Sequence, residues 1–177
     1  MATVLITGCS VGIGYETALA FARAGHTVAA TMRNPAKAPQ LAEIARHENL
    51  PLTVFTLDVD SDSSVTKGIA AAVKALGPIE VLVNNAGIER SGSVEELPLA
   101  DFRAVMETNY FGVVRCIQAV LPSMRQRKQG CIITVASIAG HIATTPLAPY
   151  AATKFSVEGQ HQALAQEAKQ FGIRVAV

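Results

Sequence analysis

Thr7-Gly8-Cys9-Ser10-Val11-Gly12-Ile13-Gly14 sets the architecture that the rest of the chain must join. An apolar β-branched run, Thr3–Thr7, leads into it, and a helical pattern, Gly12–Ala24, leaves it. Glycines let the chain turn tightly and let backbone N–H groups approach a pyrophosphate, while the helix N-terminus adds partial positive charge. Glycines alone are a weak signal; a strand before and a helix after make it a strong one.

Working outward, strands are expected at Thr27–Met32, Leu52–Thr56, Ile79–Val83, Ile132–Ala136 and Ile173–Val177. Several of these runs are apolar on both faces, as a buried parallel sheet demands. Helices fit between them at Ala36–His47, Asp62–Ala75, Ala100–Arg127 and Pro149–Gln170, with Pro122 expected to bend or interrupt the fourth. Gly25, Gly77, Gly130 and Gly172 each follow a helix, where a left-handed cap suits glycine. The alternation predicts an α/β fold: one doubly wound parallel sheet over residues 1–177, strand order 3-2-1-4-5-6. In that order the glycine loop and the segments after strands four and five share one carboxyl edge, where ligands bind.

Fifteen basic residues against fourteen acidic give a net charge of +1, which offers nucleic acid and anionic membranes no electrostatic purchase. Three cysteines without CxxC spacing suit a reducing, cytoplasmic setting. Cys9 reads as a small loop side chain, and the histidines lack metal-ligand spacing, so no metal is expected. Met1 runs straight into the first strand without a leader pattern. Residues 129–153 carry no Asp, Glu, Lys or Arg but hold Gly140, Pro146 and Pro149, so they read as a strand and an apolar loop rather than a membrane span.

The glycine spacing is TGxxxGxG, not GxGxxG, and it resembles the short-chain dehydrogenase/reductase family. The resemblance implies a Rossmann fold with six strands present. It implies that Gly8, Ser10, Gly12, Ile13 and Gly14 bind a nicotinamide dinucleotide. In such folds an acidic residue after the second strand binds the ribose 2′-hydroxyl, whereas Arg accommodates a 2′-phosphate. No Asp or Glu occurs between Glu16 and Glu43, and Arg33 stands just past that strand. NADP(H) is therefore favoured over NAD(H), because guanidinium binds phosphate bidentately. Asp58 and Val59 resemble the segment that holds the adenine edge, although Asp58 also reads as a turn or cap residue. Asn84-Asn85-Ala86-Gly87 resembles the family's NNAG motif, which places Asn85, Ala86 and Gly87 on the cofactor.

Tyr150 and Lys154 are four residues apart at the start of a helix, so they share a face. An ammonium there favours phenolate over phenol. Ser137 follows the fifth strand, where its hydroxyl could hold a substrate oxygen as charge develops. Ser137, Tyr150 and Lys154 match the family's catalytic triad, and the resemblance adds that Lys154 binds the nicotinamide ribose together with Tyr150. Asn109 is a poor helix-interior residue; in similar proteins such an Asn distorts the helix and holds a water of the proton relay. The implied activity is hydride transfer between NADP(H) and a small or apolar alcohol/carbonyl pair. The alternative is a catalytically silent NADP(H)-binding regulator or inactive fragment. Family members continue past the sixth strand with substrate-covering helices and a final strand, so a C-terminally incomplete domain is expected. Association into a dimer or tetramer through the fourth and fifth helices is implied too, with Ala151, Phe155, Gly159 and Ala163 as a mostly small-sided face.

Overall fold

The computed structural model describes residues 1–177. Six strands form one sheet: β1 (Thr3–Ile6), β2 (Thr27–Met32), β3 (Leu52–Thr56), β4 (Val81–Asn84), β5 (Gly130–Thr134) and β6 (Ile173–Ala176). Their order is β3-β2-β1-β4-β5-β6, and every neighbouring pair is parallel. This is the doubly wound arrangement expected from the alternation of patterns.

The helices are α1 (Gly12–Arg23), α2 (Gln40–His47), α3 (Asp62–Leu76), α4 (Leu99–Met106), α5 (Gly112–Arg127) and α6 (Ala148–Lys169). Successive strand side chains point to opposite faces, and two cores result. Leu5, Leu82 and Ile132 pack against α3, α5 and α6 through Val65, Ile69, Ile117, Val120, Met124 and Leu164. Val4, Ile6, Val28, Ala30 and Val83 pack against α1 and α2 through Ala18, Leu19, Ala22 and Leu41. Burial on both faces explains why these strands are apolar throughout. No helix is long and apolar enough to cross a membrane.

Four local expectations are corrected. The helix over 100–127 widens into a π-turn at Glu107–Phe111, and Pro122 does not interrupt α5. Val120 and Met124 flank Pro122 and are buried, so core packing outweighs the lost backbone bond. The helix over 36–47 begins instead as a 3-10 turn, Pro35–Lys37; Ala38 precedes Pro39 and leaves helical backbone, at φ −142° and ψ 63°. The left-handed residue after α5 is Lys128, at φ 52°, not Gly130. Gly130 opens β5, where a Cβ would lie 2.6 Å from Met124 Sδ. On α6, Ala151 is buried in the molecule, leaving Phe155, Gly159 and Ala163 exposed.

Candidate active site

The glycine loop is braced from β4. Asn85 Nδ2 donates to the Thr7 carbonyl at 2.9 Å and to the Gly8 carbonyl at 3.1 Å. Thr7 Oγ1 accepts from the Asn85 and Ala86 N–H groups, both at 3.0 Å. Two of the glycines exist to admit that amide. A Cβ on Gly14 would lie 2.3 Å from Asn85 Nδ2, and one on Gly8 would lie 2.7 Å from Ala86 Cα. The loop therefore needs its glycines for its own packing as well as for any ligand.

A cleft of about 290 Å³ opens beside the loop. Gly8, Ser10, Ile13, Arg33, Asp58, Val59, Asn85, Ala86 and Gly87 line it, with Asp60, Ile88 and Thr108. Gly12 and Gly14 stand in the same loop but not in the lining. A Cβ on Gly12 would meet nothing within 4 Å. Helix α1 starts here with no side-chain cap and no acidic residue in its first turn. Its first N–H groups lack helical partners, which suits a pyrophosphate. The residues present thus fit a dinucleotide. Arg33 is exposed on the cleft wall at the end of β2. Asp58 lines the cleft and also makes a turn, its Oδ1 accepting from the Asp60 N–H at 3.1 Å. Cys9 is fully buried, its thiol pushed up to about 12 by burial, and it donates to the Ile6 carbonyl. It is a packing residue, as its small size suggested.

Lys154 and the segment that leads to Ser137 come together beyond the end of β5. Ser137 starts a 3-10 turn, Ile138–Gly140, and its Oγ accepts from the Ala139 N–H at 3.2 Å. Tyr150 and Lys154 lie in the first turns of α6. Lys154 Nζ sits 5.5 Å from the Tyr150 ring centroid and donates to the Val135 carbonyl at 2.6 Å. That contact ties α6 to the segment two residues before Ser137. Lys154 is only 8% exposed, and burial lowers its pKa. An ammonium with one carbonyl partner is an expensive group to bury. His141, from the loop after Ser137, lies 3.4 Å from the buried Glu158 on α6.

Asn109 lies in the π-turn beside Thr108, and both are buried. A wider turn lets consecutive side chains point inward. Asn109 Oδ1 accepts from the Ile88 N–H at 2.8 Å; Nδ2 donates to the Ile88 carbonyl at 2.9 Å and to Thr153 Oγ1 at 3.1 Å. Both amide N–H groups are committed, so Asn109 joins the segment after β4 to α6. Thr153 in turn donates to the Tyr150 carbonyl at 2.7 Å. Thr153, which braces this contact, leaves no spacing signal in the sequence, because it is a single hydroxyl within a helix.

Glycine loop, uncapped α1 and a shared carboxyl edge on a 3-2-1-4-5-6 sheet define a doubly wound domain of the Rossmann class. The chain belongs to the short chain dehydrogenase family, whose model matches residues 2–177. It is 44% identical over 180 residues to retinol dehydrogenase 8 of Bos taurus, covering 99% of this chain and 57% of that protein. It is 39% identical over 167 residues to an NADPH-dependent pterin aldehyde reductase of Arabidopsis thaliana, covering 93% and 68%. Among solved structures it superposes on a gluconate 5-dehydrogenase from Burkholderia cenocepacia J2315 in complex with NADP and tartrate, with a TM-score of 0.91 and 34% identity, covering 97% and 68%. The chain thus spans little over half the length of the retinol dehydrogenase relative.

Proposed function

We propose that the protein is an oxidoreductase that moves hydride between NADP(H) and an apolar alcohol/carbonyl pair. The observation that carries this reading is the meeting of Lys154, Tyr150 and the Ser137 segment at the end of β5, on the same sheet edge as the glycine-loop cleft.

Gly8, Ser10, Gly12, Ile13 and Gly14 would cradle the pyrophosphate, Arg33 the 2′-phosphate, and Asp58 with Val59 the adenine. Asn85, Ala86 and Gly87 would line the path toward the nicotinamide. When bound, that ring supplies or accepts the hydride. In reduction, the Ser137 hydroxyl donates a hydrogen bond to the substrate oxygen. Tyr150 gives the same oxygen its phenolic proton, and the Lys154 ammonium stabilises the phenolate left behind. Oxidation runs these proton movements in reverse. Lys154 and Tyr150 would also hold the nicotinamide ribose, and Asn109 holds the Ile88 segment and α6 at a fixed spacing.

Arg33 on the cleft wall supports NADP(H), as do the NADP in the gluconate dehydrogenase structure and the NADPH in the pterin reductase's name. An apolar substrate is supported by exposed Ile138 and Ile142 in the charge-free segment after Ser137, and by the retinol in a relative's name. Exposed Phe111 and Phe155 favour pairing of two copies across α5 and α6. Three free cysteines, two fully buried, suit a reducing cytoplasm.

The test is NADPH oxidation by the full-length protein against all-trans-retinal, decanal and cyclohexanone, with NADH alongside. Tyr150→Phe should cut turnover about 1000-fold while weakening NADPH binding, read by fluorescence, far less. Unaltered turnover would refute the assignment.

A further inference from the structure

Beneath the Ser137–Tyr150–Lys154 edge lies a buried polar chain that the proposed reaction does not use. His161 sits on α6 two turns past Lys154, on the same side, and is 3% exposed. Its Nδ1 is 2.9 Å from the Val157 carbonyl, and its Nε2 is 2.6 Å from Thr134 Oγ1. A carbonyl only accepts, so Nδ1 carries the proton and Nε2 is an acceptor. The Thr134 hydroxyl must then donate to Nε2, and its oxygen accepts from Asn84 Nδ2 at 3.2 Å. The requirement that Asn84 donate also fixes which way its amide faces. Every link therefore has one direction: Asn84 amide, Thr134 hydroxyl, His161 imidazole, Val157 carbonyl.

This chain crosses three elements. Asn84 and Thr134 are register partners that close β4 and β5. The neighbouring Asn85 braces the glycine loop, and the neighbouring Val135 takes the Lys154 ammonium. Apolar packing of Val157, Leu164 and Ala168 holds α6 in the core but is non-directional and leaves axial slip open. Two directional contacts on that side of α6 oppose slip: Lys154 on Val135 and His161 on Thr134. Burial lowers the His161 pKa and keeps the ring neutral, as acceptance from Thr134 requires. Glu158 is the charged group near it, on its own helix, and its Oε1 turns toward His141. From β5 the ring meets Thr134, which in turn meets Asn84 on β4, and neither of these titrates.

We propose that His161 is a positioning residue: with Thr134 and Asn84 it sets the axial register of α6 on β5, and so the placement of Tyr150 and Lys154 relative to Ser137. The proposal rests on the catalytic reading given above. The experiment uses the full-length protein with Thr134→Val, Thr134→Ser, His161→Leu and the Thr134→Val/His161→Leu double variant. Hydrogen exchange over residues 150–158 needs no substrate, and each broken link should speed it about tenfold, with α1 unchanged. With NADPH and the fastest-reduced of retinal, decanal and cyclohexanone, each should lower kcat about tenfold at unchanged KM and NADPH affinity. Thr134→Ser should restore both readouts, and the double variant should do no more than either single one. Unchanged exchange overturns the proposal. So do additive losses, or an unchanged kcat where Tyr150→Phe is inactive. An active Tyr150→Phe variant instead removes the catalytic reading itself, whatever the exchange shows.

Discussion

Around the glycine loop the chain makes room by leaving side chains out; around the end of β5 it fixes geometry by burying polar ones. In the first region Gly8 and Gly14 admit the Asn85 amide. In the second, Lys154, His161, Thr134 and Asn109 are all buried and hydrogen-bonded. The first region is close-packed where its glycines meet Asn85 and Ala86, so it does not tolerate added bulk there. The second carries a buried ammonium and a directional relay, so it stores a stability cost in exchange for placement.

Lys154→Met tests the contrast most strongly. Replacing a buried charge by an apolar chain of similar length should leave stability equal or raise it by about 1 kcal/mol, while turnover falls about 1000-fold. Thermal melts and initial rates check both halves, and a large drop in Tm would show that Lys154 supports the fold instead. Gly14→Ala should do the reverse. Its Cβ clashes with Asn85 Nδ2 and with the Gly8 carbonyl at 2.5 Å, which should cost ~3 kcal/mol in denaturant unfolding and weaken NADPH binding with it. Arg33→Ala should weaken NADPH binding about tenfold and leave NADH nearly untouched; equal losses for both dinucleotides would remove Arg33 from the phosphate.

The smallest effect concerns pH. The folded pKa of His161 lies below its unfolded value of 6.5. The unfolded chain therefore takes up the proton first, and stability falls as pH drops below 6.5 toward the folded pKa. His161→Leu should flatten that limb of a Tm-against-pH curve. An unchanged limb would place the acid sensitivity elsewhere.

Sheet order and the glycine loop were legible because both are written as spacings: strand–turn–helix alternation, and TGxxxGxG between β1 and α1. Asn109 and the Tyr150–Lys154 pair were legible as a misfit residue and as an i, i+4 pair. The helix distortion was placed at Asn109, within the π-turn Glu107–Phe111, but its partner Ile88 was not legible, being twenty-one positions away. Pro122 does not interrupt α5, since the burial of its neighbours outweighs its local penalty. His161 was passed over because its partner is Thr134 on another element, and no pattern along the chain joins them.

A crystal structure of the full-length protein with NADPH bound puts the central claim to its most direct test. The reactive carbon of the nicotinamide should lie beside the Tyr150 hydroxyl, with Ser137 Oγ facing the same space and the 2′-phosphate on Arg33. A dinucleotide seated away from the cleft, or a Tyr150 hydroxyl turned from the ring, would contradict it.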